Sequence, residues 1–435
     1  MREMKDSGIE WIGKIPAHWA LSKVGMFYNI VLGKMLQSEQ SSDSDTYEKY
    51  LCAMNLGNNA LKYDVLKKMW FSEKERQQYK VQKGDLIVVE GGDVASCDIV
   101  KEDVSDLYIQ NALHRVRAKK DFTLEFLRYS LMMAKAQGYI SLICNKATIA
   151  HFTKDKFSSL PFLAVPVDEQ LKIVQVLDKK CAQVDALITN IQTQIEKLKA
   201  YKQSMITEVV TKGLDPTVPM KDSGVEWIGE IPAHWEITRK LAFVTTEGIS
   251  YGIVKLFDPD DVNGVKVLRC SDVLEGWIKP DNIRTVMQEV SNEYARTILS
   301  GGEVVVNVRG SLGGCAVVPK TMAGYNIARE VAKIALNDSM CNRYVMYYLL
   351  SRCFVEYRTS RLSGSVYVGL NIELLSSCPL PNPDLAEQTA IADYLDEKCS
   401  QIDRLIAIKQ AKIEKLEQYK RSLIYEYVTG KREVS

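Results

Sequence analysis

The sequence is poor in the residues from which catalytic and metal sites are built. It holds four histidines in 435 residues, and its ten cysteines are scattered, with no Cys-x-x-Cys pair and no cysteine–histidine cluster. Zinc-ligand spacing is therefore missing, and a disulfide framework is not expected in a chain this long. No P-loop pattern is present; the glycine turn Gly310-Ser-Leu-Gly-Gly314 lacks the lysine and a Rossmann context. The Asn/Asp-Pro-Pro-aromatic stretch of an amino-methyltransferase is missing too, since Asn382-Pro383-Asp384-Leu385 lacks the second proline and the aromatic. No nucleophile–base pair with an ordering acid suggests itself, so the chain reads as a non-enzyme. Apolar runs stay short of the roughly 20 residues of a membrane span, and the opening Met-Arg-Glu-Met-Lys-Asp lacks the apolar core of a signal peptide. A reducing cytoplasm is the expected location. Net charge is uninformative: 56 Lys and Arg against 55 Asp and Glu leave +1.

What the chain has instead is repetition. Residues 169–211 run without Gly or Pro, with apolar residues at Ile173, Leu177, Cys181, Val184, Ile188, Ile191, Ile195 and Leu198. After Leu177 the steps alternate between 4 and 3, a heptad seam that lets one helix lie along another. A helix of this length spans roughly 65 Å and needs a partner for its seam. Residues 387–429 supply it: they align at a constant offset of 218 with 23 identities in 43 positions. The seam returns as Ile391, Leu395, Cys399, Ile402, Ile406, Ile413 and Leu416, with one departure, Ile191 to Lys409, beside Ile408. Cys181 and Cys399, equivalent on the seam, read as small buried apolar residues. A second segment, residues 4–19, returns at 220–235 with changes at two of 16 positions. Its Pro, Trp and His (His18, His234, Trp11, Trp19) read as a packed corner. A recognition surface that differs between two halves would not be built from the part that stays the same.

Between the repeats lie two globular regions, residues 20–157 and 236–375, with one plan and almost no identity. Strands are expected at 49–55, 85–90 and 108–117 in the first, and at 266–270, 303–308 and 330–336 in the second. Helices are expected at 124–137 and 343–356. Charge is divided within each region. Residues 20–106 hold 11 Lys/Arg and 14 Asp/Glu, whereas 107–156 hold 9 and 3; residues 236–308 hold 8 and 11, whereas 309–367 hold 8 and 3. The basic half also carries the Gly/Ser/Thr turns, and clustered cations beside small residues suit phosphate contacts.

The duplicated Asp-Ser-Gly-Ile/Val-Glu-Trp-Ile-Gly corner, the Glu-Gln helix starts, the Leu-Asp-x-Lys-Cys and Ile-Glu-Lys-Leu-x-x-Tyr-Lys helix segments, and Val-Thr-Lys-Gly-Leu-Asp-Pro resemble the specificity subunit of type I restriction–modification enzymes. The resemblance covers essentially the whole chain and implies an α+β fold. Two mixed α/β target recognition domains would be separated by two long antiparallel coiled-coil helices, in an internal tandem duplication with pseudo-twofold symmetry. The implied division is 1–165, first recognition domain; 166–213, first long helix; 214–219, linker; 220–383, second recognition domain; 384–435, second long helix and tail. The seam would be Leu177, Cys181, Val184, Ile188, Ile195 and Leu198 against Leu395, Cys399, Ile402, Ile406, Ile413 and Leu416.

Each domain would read one half of a split sequence in double-stranded DNA. The helix pair would set the spacer and dock two methyltransferase (modification) subunits, and restriction subunits would join. The chain itself would bind no cofactor and no metal; S-adenosylmethionine, ATP and Mg would belong to the partners, in a bacterial or archaeal cytoplasm. Residues placed near DNA by the family plan are Gly91, Gly92, His114, Arg115, Lys146 and Thr148 in the first domain. In the second they are Ser250, Tyr251, Arg309, Ser311, Arg329, Arg361, Ser363 and Tyr367. A competing reading is a non-DNA protein–protein scaffold built on the duplicated helices; co-purification with a methyltransferase separates the two.

Overall fold

The structure, a computed structural model, describes residues 2–57, 59–119, 122–144, 150–254, 264–362 and 369–434. The chain divides into two compact units, residues 1–191 with 411–435, and residues 192–410. Two long helices cross that division, so each unit contains one globular region and a part of each long helix.

In the first unit the strands of the two larger sheets are β1 (Tyr28–Leu32), β2 (Thr46–Leu51), β3 (Lys67–Phe71), β4 (Leu86–Val89), β5 (Cys97–Ile99), β6 (Leu107–Ile109) and β7 (Leu113–Ala118). They form an antiparallel sheet β5-β4-β7-β1 and a second sheet β6-β2-β3, in which β2 and β6 are parallel. The expected strand 108–117 is thus two strands in different sheets. Leu113 N–H donates to Gln110 O at 2.9 Å, turning the chain between them. Helix α1 (Leu124–Ala136) follows, N-capped by Thr123, and packs a core of Tyr28, Phe126, Phe157 and Phe162.

The second unit repeats this topology. Its strands are β8 (Ser250–Tyr251), β9 (Val265–Leu268), β10 (Arg284–Val286), β11 (Val304–Asn307), β12 (Cys315–Val317), β13 (Asn326–Ile327) and β14 (Val331–Ile334). The sheets run β12-β11-β14-β8 and β13-β9-β10, the β9–β13 pair again parallel. The offset of 218 maps β4 onto β11 and β5 onto β12 residue for residue, while the pairing registers shift by one residue for β1 onto β8 and for β2 onto β9. The two regions differ in nearly every side chain but hardly in length. The expected helix 343–356 is broken into α3 (Asn342–Leu350) and α4 (Arg352–Leu362). Ser351 between them is buried and extended, and its hydroxyl donates to Tyr348 O at 2.7 Å.

The long helices are α2 (Val167–Lys212) and α5 (Leu385–Val428), which brackets both expected heptad stretches. Within the first unit Ile173, Leu177 and Cys181 cluster with Leu423, Ile424 and Val428, and Asp185 meets Lys420 at 2.7 Å. Within the second, Gln194 meets Lys409 at 2.6 Å and Lys202 meets Asp403 at 2.7 Å, while Met205 and Ile206 cluster with Leu395 and Cys399. In each unit the segments therefore run antiparallel. Leu177, Cys181, Val184, Ile195, Leu395, Cys399, Ile402 and Ile413 are buried; Ile188, Leu198, Ile406 and Leu416 are half-buried flanks. Burial pushes the Cys399 thiol up to about 11 and raises that of Cys181, as for a packed, unreactive thiol. At the one departure, Lys409 donates to Gln194, and Ile408 stands exposed.

The duplicated corner fastens these helices. In the first unit the Trp19 indole N–H donates to Glu169 at 3.2 Å and His18 bonds the same carboxylate at 2.7 Å; in the second, Trp235 and His234 hold Glu387 at 2.8 and 3.1 Å. The opposite helix ends there too. Gly430 sits at φ +69, where a Cβ would lie 2.5 Å from Pro16 Cγ, and Gly213 at φ +75, where it would lie 3.2 Å from Trp235. One residue on, buried Gln170 and Gln388 bridge the helix start to the cap of the neighbouring helix. Gln170 accepts from Thr123 N–H at 3.1 Å, and Gln388 from Cys341 N–H at 2.8 Å. Tyr129 and Tyr347 donate to Asp178 and Asp396 at 2.6 and 2.7 Å.

Candidate nucleic-acid interface

In the second unit the candidate residues gather around the end of β11. Asn307, its last residue, is buried, and its amide donates to Cys270 O, Val273 O and Ser311 O at 2.9, 3.0 and 3.2 Å. That side chain binds the turn Arg309–Gly314 to the loop after β9. The turn requires its glycines: Gly310 and Gly313 have φ of +74 and +128, and a Cβ on Gly314 would overlap Val273 O at 2.2 Å. The result is a rigid projection with Arg309 and Ser311 exposed. Arg329 is exposed beside it, since Arg309 N–H and Val308 N–H both reach Glu330 O. Among the described residues neither Arg309 nor Arg329 has a carboxylate within ion-pair distance.

Arg309 also lines a concave site of about 560 Å³ with Tyr251, Tyr357, Arg361, Asn371, Glu373 and Ser377. The Tyr251 hydroxyl donates to Leu370 O at 3.1 Å, and burial pushes its ionisation up, so it stays neutral and offers its ring and an acceptor oxygen. Arg361 lies over Trp227 and Tyr357, 5.9 and 5.6 Å from the ring centroids, and is held by both. Ser250 is half-buried on β8 and turns its hydroxyl to Gly248 O. The structure thus brings Tyr251, Arg309 and Arg361 onto one surface, with Ser311 and Arg329 on its rim. Two guanidinium groups, a phenol and an amide around a concavity match phosphate oxygens and base edges. Ser363 and Tyr367 lie outside the described residues.

The first unit differs. His114 and Arg115 sit on β7, the central strand between β1 and β4, where both faces are covered, and both are buried. His114 Nε2 bonds Phe152 O at 2.7 Å, and burial lowers its affinity for a proton. Arg115 donates to Lys80 O at 2.7 Å. Neither reaches a surface, and their expected place near DNA is corrected to fold support. Alternation along the strand does not apply when both faces are packed. The equivalent of Arg115 in the second unit is Lys333, also buried, whose ammonium donates to Arg296 O and Ile298 O at 3.2 and 3.1 Å. Both units therefore spend a strand cation on carbonyls just after a short helix.

Other charges of the basic halves are paired within their own unit: Arg117 pairs with Asp85, Lys135 with Asp93, and Arg343 with Asp393 and Asp396. Gly91 and Gly92 do lie on the turn after β4. Gly92 is exposed at φ +98, and Gly91 bridges His151, whose ring pairs with Glu90 at 2.9 Å. Lys146 and Thr148 lie outside the described residues. By the offset, Arg309, Ser311 and Arg329 correspond to Gly91, Asp93 and Asn111, and by strand register Tyr251 corresponds to Leu32. Equal positions carry unequal chemistry. A search of the first domain for the offset partners of Arg309 and Arg329 would have separated surface from core.

The family model for the type I restriction modification DNA specificity domain matches residues 16–197 and again residues 236–418. The chain belongs to the type I restriction–modification specificity subunit family. It is 24% identical to the type I restriction enzyme MjaVIII specificity subunit of Methanocaldococcus jannaschii, over 96% of this chain and 94% of that one. It is 24% identical to the EcoBI specificity subunit of Escherichia coli, over 79% of this chain and 73% of that one. A solved chain from a study of complex assembly and conformational transition in the type I R–M system superposes with a TM-score of 0.65 at 16% identity, over 95% of this chain and 98% of that one. That likeness shows the fold. Among the described residues no helix is long and apolar enough to cross a membrane.

Proposed function

We propose that this specificity subunit reads a bipartite target in double-stranded DNA, one half per globular region, and is itself non-catalytic. The first half would be read by the surface around Gly91 and Gly92 with Lys146 and Thr148. The second would be read by Ser250, Tyr251, Arg309, Ser311, Arg329 and Arg361 with Ser363 and Tyr367. The helix pair α2 and α5 sets the spacer and docks two modification subunits; S-adenosylmethionine, ATP and Mg act in those and in the restriction subunits, in the cytoplasm. One observation carries the reading. Two regions share one strand order in both sheets, yet equivalent projecting positions carry arginine in one and glycine or asparagine in the other. A shared frame with unlike tips suits two different half-sites.

The test is to map methylated adenines across the genome of the source cell with and without this gene. The reading expects one motif, two unlike half-sites around a fixed gap, to lose methylation on deletion. A lost motif that is continuous or palindromic, or no loss, would refute it.

A further inference from the structure

Of the six tryptophans, five are buried or half-buried, and Trp277 alone is 53% exposed. A large aromatic surface left in water on a rigid element calls for a reason. Trp277 sits at the tip of a tight hairpin: Val273 and Ile278 bridge across it, Leu274 N–H donates to Trp277 O at 2.9 Å, and Lys279 N–H to Asp272 O at 2.8 Å. Gly276, at φ +88, makes the bend. Asp272 is in turn gripped by the Arg269 guanidinium at 3.0 Å. The hairpin is bonded by three links to the Arg309–Gly314 turn and to Cys315, the residue that follows it. Gly276 N–H donates to Cys315 O at 2.8 Å, Cys315 N–H to Leu274 O at 3.1 Å, and Asn307 ties Val273 O to Ser311 O. The indole is therefore carried by the same rigid projection that presents Arg309 and Ser311, with Lys279 exposed two residues along.

The hairpins match through their bonds, Lys62 N–H to Asn55 O in the first unit and Lys279 N–H to Asp272 O in the second, so the equivalent of Trp277 is Ala60, which is exposed, and the equivalent of Gly276 is Asn59, at φ +56. A methyl group stands there in the first unit where the second carries an indole.

Resting on the proposed DNA reading, we propose that Trp277 stacks on a base at or beside the second half-site, unstacking that step, while the first half-site receives no such contact. An aromatic face takes any base, so the contact contributes affinity and a local distortion rather than hydrogen-bonded sequence readout. No covalent step is involved.

The test uses the full chain with its modification subunits and a duplex of the mapped target, with 2-aminopurine placed in turn along each half-site. Wild type should raise 2-aminopurine fluorescence at one position near the second half-site and nowhere in the first. Trp277→Ala should abolish that rise and weaken binding on the order of tenfold to a hundredfold, with thermal unfolding unchanged; Trp277→Phe should retain both. Equal binding and equal fluorescence for wild type and Trp277→Ala would overturn the inference alone. So would a Trp277→Ala defect confined to association with the modification subunits. Failure of wild type to bind the duplex would overturn the DNA reading together with it.

Discussion

Gln388→Met removes an amide from a fully buried position at the start of α5 while keeping the length of the side chain. In the native unit its carbonyl accepts from Cys341 N–H at 2.8 Å, and its amide donates to Pro383 O at 2.9 Å and Ser339 O at 3.2 Å. Methionine restores packing but none of these bonds. The Cys341 N–H belongs to the cap of α3, a donor that no residue within its own helix can satisfy. Each buried group left without a partner costs roughly 1–3 kcal/mol. Three groups lose a partner, and with part of that cost offset by the added apolar burial the net loss is about 2–4 kcal/mol. For a unit the size of residues 192–410, that corresponds to a fall in melting temperature of roughly 5–15 °C.

Gln170→Met is the matched perturbation, losing bonds to Thr123 N–H and hydroxyl at 3.1 Å each and to Val165 O at 2.8 Å. Calorimetry on the two single variants should shift the melting of different units by similar amounts. A change under about 0.5 kcal/mol in both would show that these buried amides fasten nothing, and the account of the corner would fail.

Arg115→Ala should cost about 2–3 kcal/mol of stability, because Lys80 O keeps only the longer 3.3 Å bond from Arg117 and the buried stem of the side chain leaves a void, whereas Arg309→Ala should leave melting unchanged and weaken discrimination at the second half-site by about 1–3 kcal/mol. Half-site selection by binding sequencing separates the two; a stable Arg115→Ala protein with altered reading would reverse the assignment. Burial pushes the Glu169 carboxyl up, but bonds from His18, Arg2 and Trp19 outweigh it and hold its pKa below the usual value. The stability this contributes is present above the unfolded-state pKa of about 4.3 and is lost as pH falls through the lower folded value. The melting difference between wild type and Glu169→Gln should therefore be largest near neutral pH and close below pH ~4; a difference that grew toward acid would contradict the clamp. Adding one heptad to both α2 and α5 lengthens each by about 10 Å, about three base-pair steps, and should lengthen the methylated motif's gap while both half-site sequences stay the same; unchanged gap length would sever the helices from the spacer.

The scaffold was legible because identity itself marked it. The offset alignment of residues 169–211 with 387–429 named the seam, and all its positions are buried or half-buried in α2 and α5. The Trp-His corner was legible for the same reason. What stayed hidden lay where identity vanishes but the offset does not. Tyr129 and Tyr347, Tyr139 and Tyr357, and Arg115 and Lys333 are 218 apart inside regions that look unrelated, and each pair makes equivalent contacts. Carried into the divergent regions, the offset marks contacts with the duplicated parts. Counting charge by segment failed for a different reason. The sum cannot tell Arg309, which projects, from Arg115, Arg117 and Arg343, whose charge is consumed by carbonyls and carboxylates inside the unit.

The corners also explain why the two scaffolds stayed alike while the regions between them did not. Trp19 meets the start of α2 through Glu169 and the end of α5 through Gly430; Trp235 meets the start of α5 through Glu387 and the end of α2 through Gly213. Each long helix must therefore fit two corners, one with its first turn and the other with its last. A substitution in one corner is answered by changes in two helices, and each of those helices is also fitted to the second corner. The seam adds a parallel constraint, because the Lys–Asp pair occurs once per unit with the helices exchanging roles, Lys420 with Asp185 and Lys202 with Asp403. Drift in one copy thus degrades contacts made by the other, and both copies are held near one solution. A side chain such as Arg309 or Trp277, projecting from its own unit, is under no such coupling, and it is at these projecting positions that the two halves differ in chemistry.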